Sequence, residues 1–211
     1  MLKVVSATPS PFARKVRVAL LEKGVPFELV TDVTWNDDTV VRDFNPLEKL
    51  PILITERDGI VCDSTLIIDY LEATYPDPAL LPRDPKQRLA AKSIEVLQNG
   101  ICDAVVLTFF ERVRPSEAQS AQWLARQRRK IERGTAALAS HLNGQDYFVG
   151  GAFTIADIAA VCALGYLNLR LADFQWQPLH PELANWFDRM SNREAFRKTV
   201  PTANVIKATM D

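Results

Sequence analysis

The sequence predicts two domains, a mixed α/β domain followed by an all-helical domain, on three observations. Short strand-like and helix-like segments alternate over about the first 75 residues. Four prolines then crowd the segment 76–85, a density that precludes a helix and indicates a stiff connector. Beyond it, apolar residues recur every three or four positions, as in amphipathic helices. We therefore expect one domain over 1–77 and a second over 85–211.

The first domain has the predicted order β-α-β-α-β-β-α. Because a β-α-β start is followed by a β-hairpin, the sheet should be mixed. The segments are a strand over Leu2–Ser6, a helix from Phe12 that stops at Gly24, a strand over Phe27–Val30, a short helix over Asp37–Phe44, a strand over Ile52–Thr55, a returning strand over Ile60–Cys62 and a helix that runs to Thr74.

The second domain consists of helices. A segment that is apolar on nearly all sides belongs at the centre of a bundle, and Thr154–Leu171 has this character. The other predicted helices are a long one that contains Ala90 to Val105 and ends at Arg114-Pro115, a second over Trp123–Leu142, and shorter ones over Pro181–Met190 and Asn192–Lys198.

Composition argues against several classes of function. The formal net charge is −1, whereas a nucleic-acid binder usually shows a basic excess. The densest basic run, 126–133, has helical spacing and includes Glu132, so it indicates a solvated helix face rather than a phosphate-binding patch. No secretory signal is evident, and no apolar stretch reaches the roughly 20 residues that span a membrane. We expect a cytoplasmic protein without membrane partners.

The cysteines and histidines argue against a disulfide scaffold and a metal site. The three cysteines (Cys62, Cys102 and Cys162) are odd in number and contain no C-x-x-C pair, which is typical of a reducing compartment. The two histidines, His141 and His180, lie in different segments, too few for a metal site or a Ser-His-Asp triad. No metal cofactor is therefore expected.

A helix that opens at Ser10-Pro11-Phe12 directly after the first strand is the first candidate site. Amide N–H groups at a helix start are unpaired and carry partial positive charge, which stabilises a thiolate. The simpler interpretation is that Ser10 only caps the helix, because serine is a favoured N-cap residue.

Two further candidate binding segments lie in the same domain, one directly before a strand and one directly before a helix. Leu50-Pro51 comes directly before a strand, where a cis proline would present the backbone of Leu50 to an extended peptide. Asp63-Ser64 comes before a helix and suits a zwitterionic amino-acid group, since Asp63 accepts from an ammonium and Ser64 binds a carboxylate. The alternatives are an ordinary loop proline and simple helix capping.

The order and spacing of these segments resemble those of the soluble glutathione transferase superfamily. The chain resembles a bacterial member of the serine type. The resemblance spans nearly the whole chain and includes the downstream capping box in Phe153-Thr154-Ile155-Ala156-Asp157-Ile158, in which Asp157 is structural. It implies a thioredoxin-like N-terminal domain, an all-α helical bundle, glutathione as co-substrate and a small hydrophobic electrophile as second substrate. It also implies a homodimer whose interface uses the helix from Pro85 and the N-terminal domain.

The resemblance also implies roles for individual residues. Ser10 would hydrogen-bond the glutathione sulfur, and Leu50 would pair with the cysteinyl backbone beside the cis proline, Pro51. Asp63 and Ser64 would hold the γ-glutamyl end. Lys49 would pair with the glycine carboxylate of glutathione. Phe12 would belong to the binding loop that contains Ser10.

The chain departs from the branches of this superfamily that use cysteine or tyrosine. The thioredoxin-type C-x-x-C position contains Ser10-Pro11-Phe12-Ala13, so dithiol exchange is disfavoured. No tyrosine lies near residue 6, and Ser10 is the best hydroxyl donor unless Ser6 or Thr8 substitutes.

The electrophile and the activity itself stay open. Candidate walls for its pocket are aromatic residues that are equally typical of a helical core: Phe109, Phe110, Trp123 and Tyr166. The alternative to a transferase is a non-catalytic glutathione-transferase-like protein with a binding or regulatory role.

Overall fold

The computed structural model describes residues 1–206, which contain four strands and seven helices. Their bounds are β1 Leu2–Ser6, α1 Pro11–Glu22, β2 Phe27–Thr31, β3 Ile52–Thr55, β4 Gly59–Cys62, α2 Ser64–Thr74, α3 Pro85–Val113, α4 Ala121–Leu142, α5 Ile155–Arg170, α6 Pro181–Ser191 and α7 Glu194–Arg197. Two compact units result: among the described residues, unit 1 contains Met1–Leu80 and residues 194–206, and unit 2 contains Leu81–Arg193.

Unit 1 is built on a four-stranded mixed sheet in the order β2-β1-β3-β4. β1 pairs with β2 in parallel and with β3 antiparallel, and β3 and β4 form an antiparallel hairpin. Since β1 is central in the sheet, its valines Val4 and Val5 are almost completely buried. The mixed sheet and the helical second unit agree with the predicted fold class.

The segment predicted as a second helix, 37–44, forms only one 3₁₀ turn at Val41–Asp43. Nearby side chains satisfy the backbone instead: Asp32 accepts a hydrogen bond from the Val40 N–H at 2.9 Å, and Thr39 accepts one from the Val41 N–H at 3.2 Å. Such local side-chain bonds compete with helix formation.

The C-terminal segment also differs from the predicted domains, which placed all of 85–211 in the helical half. Residues 194–206 pack with unit 1, and residues 207–211 lie outside the described part. Arg14 of α1 attaches this C-terminal segment to unit 1. Its buried guanidinium donates to the Phe196 carbonyl at 3.3 Å and to the Thr199 hydroxyl at 3.4 Å.

Unit 2 is all-helical, with α3 packed against both α4 and α5. α5 is buried along most of its length, as its apolar sequence predicts. One window of α3 is long and apolar enough to cross a membrane by length and composition. Because α3 packs lengthwise against two helices, we interpret it as a core helix of this unit.

The predicted capping box starts α5. Thr154 accepts a hydrogen bond from the Ala156 N–H at 3.3 Å, and Asp157 accepts one from the Thr154 N–H at 2.8 Å. Asp157 also accepts from the Phe148 N–H at 3.0 Å, which ties the preceding loop to the helix. Burial nevertheless raises the pKa of Asp157 to about 6, against the opposing effect of these hydrogen bonds.

This raised pKa predicts a pH-dependent contribution of Asp157 to stability. The folded state binds the proton more tightly than the unfolded chain, so the contribution is present at low pH and is lost as the pH rises through about 6. The unfolding free energy of the wild type minus that of Asp157→Asn should fall by about 2 kcal/mol between about pH 4 and pH 7. Urea titrations of both proteins measure this gap, and a constant or widening gap would contradict it.

A buried ion pair attaches the end of unit 1 to α1. The Lys23 ammonium lies 2.7 Å from the Glu72 carboxylate and donates to the carbonyls of Tyr75 at 2.7 Å and Pro78 at 2.8 Å. Glu72 in turn accepts from the Leu80 N–H at 3.0 Å. The pair therefore holds the proline-rich segment against the helices of unit 1.

Removing one partner of this pair should lower the stability of the protein, since the other charge stays buried without its counter-charge. Lys23→Met should lower the unfolding free energy by roughly 3–5 kcal/mol. The matched control is Lys3→Met, because Lys3 forms an exposed pair with Glu28 at 3.2 Å and should matter little. Chemical denaturation at neutral pH measures the unfolding free energy of both variants. If both lose the same small amount of unfolding free energy, the buried pair does not stabilise the fold.

Candidate functional site

The sheet register brings the three predicted site segments to one end of unit 1. Val5 near the end of β1 lies opposite Ile52 at the start of β3, and Ile52 lies opposite Cys62 at the end of β4. The loop to Ser10, the Leu50-Pro51 pair and the Asp63-Ser64 pair adjoin these three positions. They therefore meet at the same edge, although 53 sequence positions separate Ser10 from Asp63.

Ser10 is the N-cap residue of α1. Its Oγ accepts a hydrogen bond from the Ala13 N–H at 3.2 Å, and Pro11 occupies the first turn, where a missing N–H costs nothing. The capping interpretation is thus confirmed, and it does not compete with a functional role. A capping hydroxyl uses its lone pair and keeps its own proton available to donate.

The other two hydroxyls near this edge are already used as donors. Ser6 is buried and donates to the Ala7 carbonyl at 3.2 Å. Thr8 donates to the Thr202 carbonyl at 3.1 Å. Of the three alternatives that the sequence left open, Ser10 is the one whose hydroxyl donates no hydrogen bond among residues 1–206.

The Leu50–Pro51 peptide bond is cis, as the resemblance implied. Within residues 1–206, the backbone N–H and C=O of Leu50 make no hydrogen bond, so they can pair with an extended peptide. The neighbouring Lys49 is exposed, and its carbonyl accepts from the Asn45 side-chain amide at 2.8 Å. Asn45 therefore fixes the loop that carries Lys49.

Asp63 and Ser64 start α2 with an unusual backbone. Asp63 has φ of 75° and ψ of 130°, a region that residues other than glycine rarely occupy. Its carboxylate accepts from the Thr65 N–H at 2.7 Å, which offsets part of the strain. The exposed Asp63 carboxylate and the almost fully buried Ser64 combine acceptors with helix-start amides, as recognition of an amino-acid zwitterion requires.

Cys62 adjoins this edge but is a poor nucleophile. Burial, together with the negative charge of Asp63, raises the pKa of its thiol. The thiol therefore stays protonated at neutral pH, as expected for a cysteine that packs as a small apolar residue.

In unit 2, the structure groups three of the four predicted aromatic residues. Phe109 and Phe110 are in edge contact with centroids 5.2 Å apart, and Arg170 lies over Phe109 at 4.0 Å and near Tyr166 at 5.8 Å. Trp123 is 39% exposed on the first turn of α4, and no ring contact in the described residues joins it to this group. Arg170 follows Tyr166 by four positions, a spacing that places the two side chains on one face of α5.

The chain matches both parts of one family. Residues 5–79 match the glutathione S-transferase N-terminal domain, and residues 121–189 match the glutathione S-transferase C-terminal domain. A curated relative, the uncharacterized GST-like protein YibF of Escherichia coli K12, is 39% identical over 95% of this chain and 98% of its own length. The chain therefore belongs to the glutathione S-transferase family.

Two solved structures are similar over almost the full length. A glutathione S-transferase from Methylobacterium radiotolerans, in complex with glutathione sulfonate, is 52% identical with a TM-score of 0.97, covering 100% of this chain and 99% of its own. A family member from Pseudomonas fluorescens Pf-5, with bound S-(propanoic acid)-glutathione, is 34% identical with a TM-score of 0.84, covering 96% and 100%.

A charge-removing substitution tests the predicted role of Asp63. Asp63→Asn keeps the acceptor for the Thr65 N–H and a residue type that tolerates positive φ, so folding should be preserved. Loss of the carboxylate should weaken glutathione binding about tenfold or more, since the ligand ammonium loses its counter-charge. Isothermal titration calorimetry measures the affinity.

The control is Asp58→Asn, the same change in the hairpin turn at the opposite end of the sheet. Its affinity should equal that of the wild type. Equal affinities for both variants and the wild type would remove Asp63 from the binding site.

Proposed function

We propose that the protein binds glutathione at the Ser10, Leu50-Pro51 and Asp63-Ser64 edge of unit 1 and transfers its thiolate to small electrophiles. The observation that carries this proposal is the Ser10 hydroxyl, which caps α1 through its lone pair and retains a proton for the sulfur. The amides at the start of α1 add partial positive charge at the same point.

The interactions proposed at Ser10 are large enough to account for ionisation of the thiol. A thiol of pKa about 8.5 is only about 3% ionised at pH 7, and lowering the pKa by two units makes it about three-quarters ionised. That shift requires about 2.7 kcal/mol of preferential thiolate stabilisation. One hydrogen bond to a charged acceptor contributes about 1.5–3 kcal/mol, and a helix N-terminus adds about 0.3–1 kcal/mol.

The reaction forms one bond and breaks another. The glutathione sulfur attacks an electrophilic carbon, the leaving group departs with its electron pair, and the thiol proton passes to solvent. The relative from Pseudomonas fluorescens binds a glutathione whose sulfur bears a propanoic acid group, a thioether of the kind this reaction would form. This similarity favours transfer over binding alone.

The assembly and location of the protein are part of the same proposal. On α3, Leu89 and Val96 are both more than 65% exposed and lie seven residues apart, so they share one face. An apolar stripe of this kind suits a homodimer contact. The three free cysteines suit the reducing cytoplasm, where such a transferase would remove reactive electrophiles.

Two measurements distinguish the transferase from a non-catalytic binding protein. The transferase should be retained on immobilised glutathione and should conjugate a generic chloro-nitro-aromatic above the uncatalysed rate. Retention without turnover across an electrophile panel would favour a binding or regulatory role. No retention would argue against glutathione as the ligand.

Substitution of Ser10 tests the mechanism. Ser10→Ala removes the donor to the sulfur and should lower kcat/KM about 10- to 100-fold at neutral pH, with a smaller effect on glutathione affinity. It also removes the helix cap, at about 1 kcal/mol of stability, which thermal unfolding monitors separately. Ser10→Thr keeps both functions and should retain most of the activity. An unchanged rate in Ser10→Ala would exclude Ser10 from the mechanism.

A further inference from the structure

A surface hollow lies in unit 1 at the end of the sheet where β1 begins. Its volume is about 560 Å³, within the range of roughly 300–1,000 Å³ that is usual for small-molecule sites. It is lined by the start of β1, the turn between α1 and β2, and the chain after α2: Met1, Leu2, Lys23, Gly24, Val25, Pro26, Tyr75 and Asp77. All of these residues belong to unit 1.

The hollow is separate from the edge proposed to bind glutathione. Ser10 is the N-cap of α1, whereas Lys23 is the C-cap of the same helix. A helix of 12 residues is about 18 Å long, so roughly that distance separates the two positions. Binding in the hollow is therefore independent of the proposed glutathione transfer.

The backbone of the turn between α1 and β2 leaves acceptors open rather than donors. The N–H groups of Lys23, Gly24 and Val25 all donate back to carbonyls of α1, at 3.0–3.1 Å, and Pro26 has no N–H. Within residues 1–206, the carbonyls of Lys23 and Gly24 accept no hydrogen bond. The turn therefore suits a ligand that donates hydrogen bonds.

Two helices end at the hollow, and helix C-termini carry partial negative charge. Lys23 is the C-cap of α1 and Tyr75 is the C-cap of α2. Neither helix has a basic side chain in its last turn. The partial charges of both helix ends therefore favour a cation at this place.

The ionised side chains around the hollow leave one negative charge without a partner. The Met1 ammonium pairs with Glu56, and the Lys23 ammonium pairs with Glu72. The Asp77 carboxylate is exposed and makes no hydrogen bond or ion pair within the described residues. The charges of the lining groups are thus balanced except for that of Asp77.

The remaining lining residues are mainly apolar. Leu2 is buried, and Val25 and Tyr75 are half-buried. The Tyr75 ring contacts no other aromatic ring or cation within residues 1–206. An aromatic ring attracts an ammonium group and also contacts apolar groups.

We infer that this hollow binds a primary ammonium that is carried on a small apolar body. The Asp77 carboxylate pairs with the ammonium, and the open carbonyls of Lys23 and Gly24 accept its hydrogen bonds. Val25 and Tyr75 contact the apolar body. A carboxylate in place of the ammonium is repelled by Asp77 and by the helix ends.

Three probes of similar size test the charge preference: 2-phenylethylammonium, neutral 2-phenylethanol and anionic 3-phenylpropanoate. In isothermal titration calorimetry at neutral pH, the ammonium should bind about tenfold or more tightly than the alcohol, and the carboxylate should bind least. Equal affinities for the ammonium and the alcohol would overturn the inference. So would a failure of the ammonium to bind at millimolar concentrations.

A substitution of Asp77 tests the source of the preference. Asp77→Asn should lower the affinity for the ammonium about tenfold, toward that for the alcohol. The matched control is Asp38→Asn, because Asp38 is also exposed and without a partner within the described residues, but follows the opposite end of β2. The control should keep the wild-type affinity. Wild-type affinity in Asp77→Asn would overturn the role of its carboxylate.

Amide chemical shifts locate the bound probe. The ammonium should shift the amide resonances of Gly24 and Val25, and saturation with glutathione should leave its affinity unchanged. Shifts confined to the segments around Ser10 and Asp63, or displacement of the probe by glutathione, would show that the amine binds at the other edge and would overturn the inference. That result would leave the proposed glutathione transfer untouched.

Discussion

The first amides of α1 have no partner within the helix, and the arrangement of unit 1 depends on how they are satisfied. Ser10 accepts from the Ala13 N–H, which fixes where the helix begins. Because β1 is central in the sheet, this helix start lies at the edge where β3 begins and β4 ends. A structural requirement, the cap, thus places a hydroxyl and several amide dipoles beside the two other segments that we propose bind glutathione.

The same helix anchors distant parts of the chain through buried cations. In its first turns, Arg14 donates to the Phe196 carbonyl and so attaches α7 to unit 1. At its C-cap, Lys23 pairs with Glu72 and donates to two carbonyls of the proline-rich segment. Each buried charge meets several partners, which is the condition for such groups to be tolerated in a core. α1 therefore organises both the candidate site and the boundary of its unit.

Features encoded by neighbouring residues could be predicted from the sequence. The strands, the long helices, the cap at Ser10 and the capping box at Asp157 depend on periodicity or on groups three or four positions apart. The helix expected over 37–44 was wrong because the Asp32 side chain satisfies a backbone amide from eight positions away. The attachment of α7 involves Arg14 and Phe196, 182 positions apart, and the strained φ of Asp63 leaves no sequence signal. The contact of Arg170 with Phe109 joins two helices, so no local pattern predicts it.

The ionisation of bound glutathione tests the central claim most directly. A pH titration of thiolate ultraviolet absorbance, on the complex of wild-type protein with glutathione, gives the pKa of the bound thiol. If the Ser10 hydroxyl and the start of α1 stabilise the thiolate by the estimated amount, that pKa falls from about 8.5 to about 6.5. A bound thiol that titrates at or above its solution pKa would contradict the account, because neither the cap nor the helix terminus would then act on the sulfur.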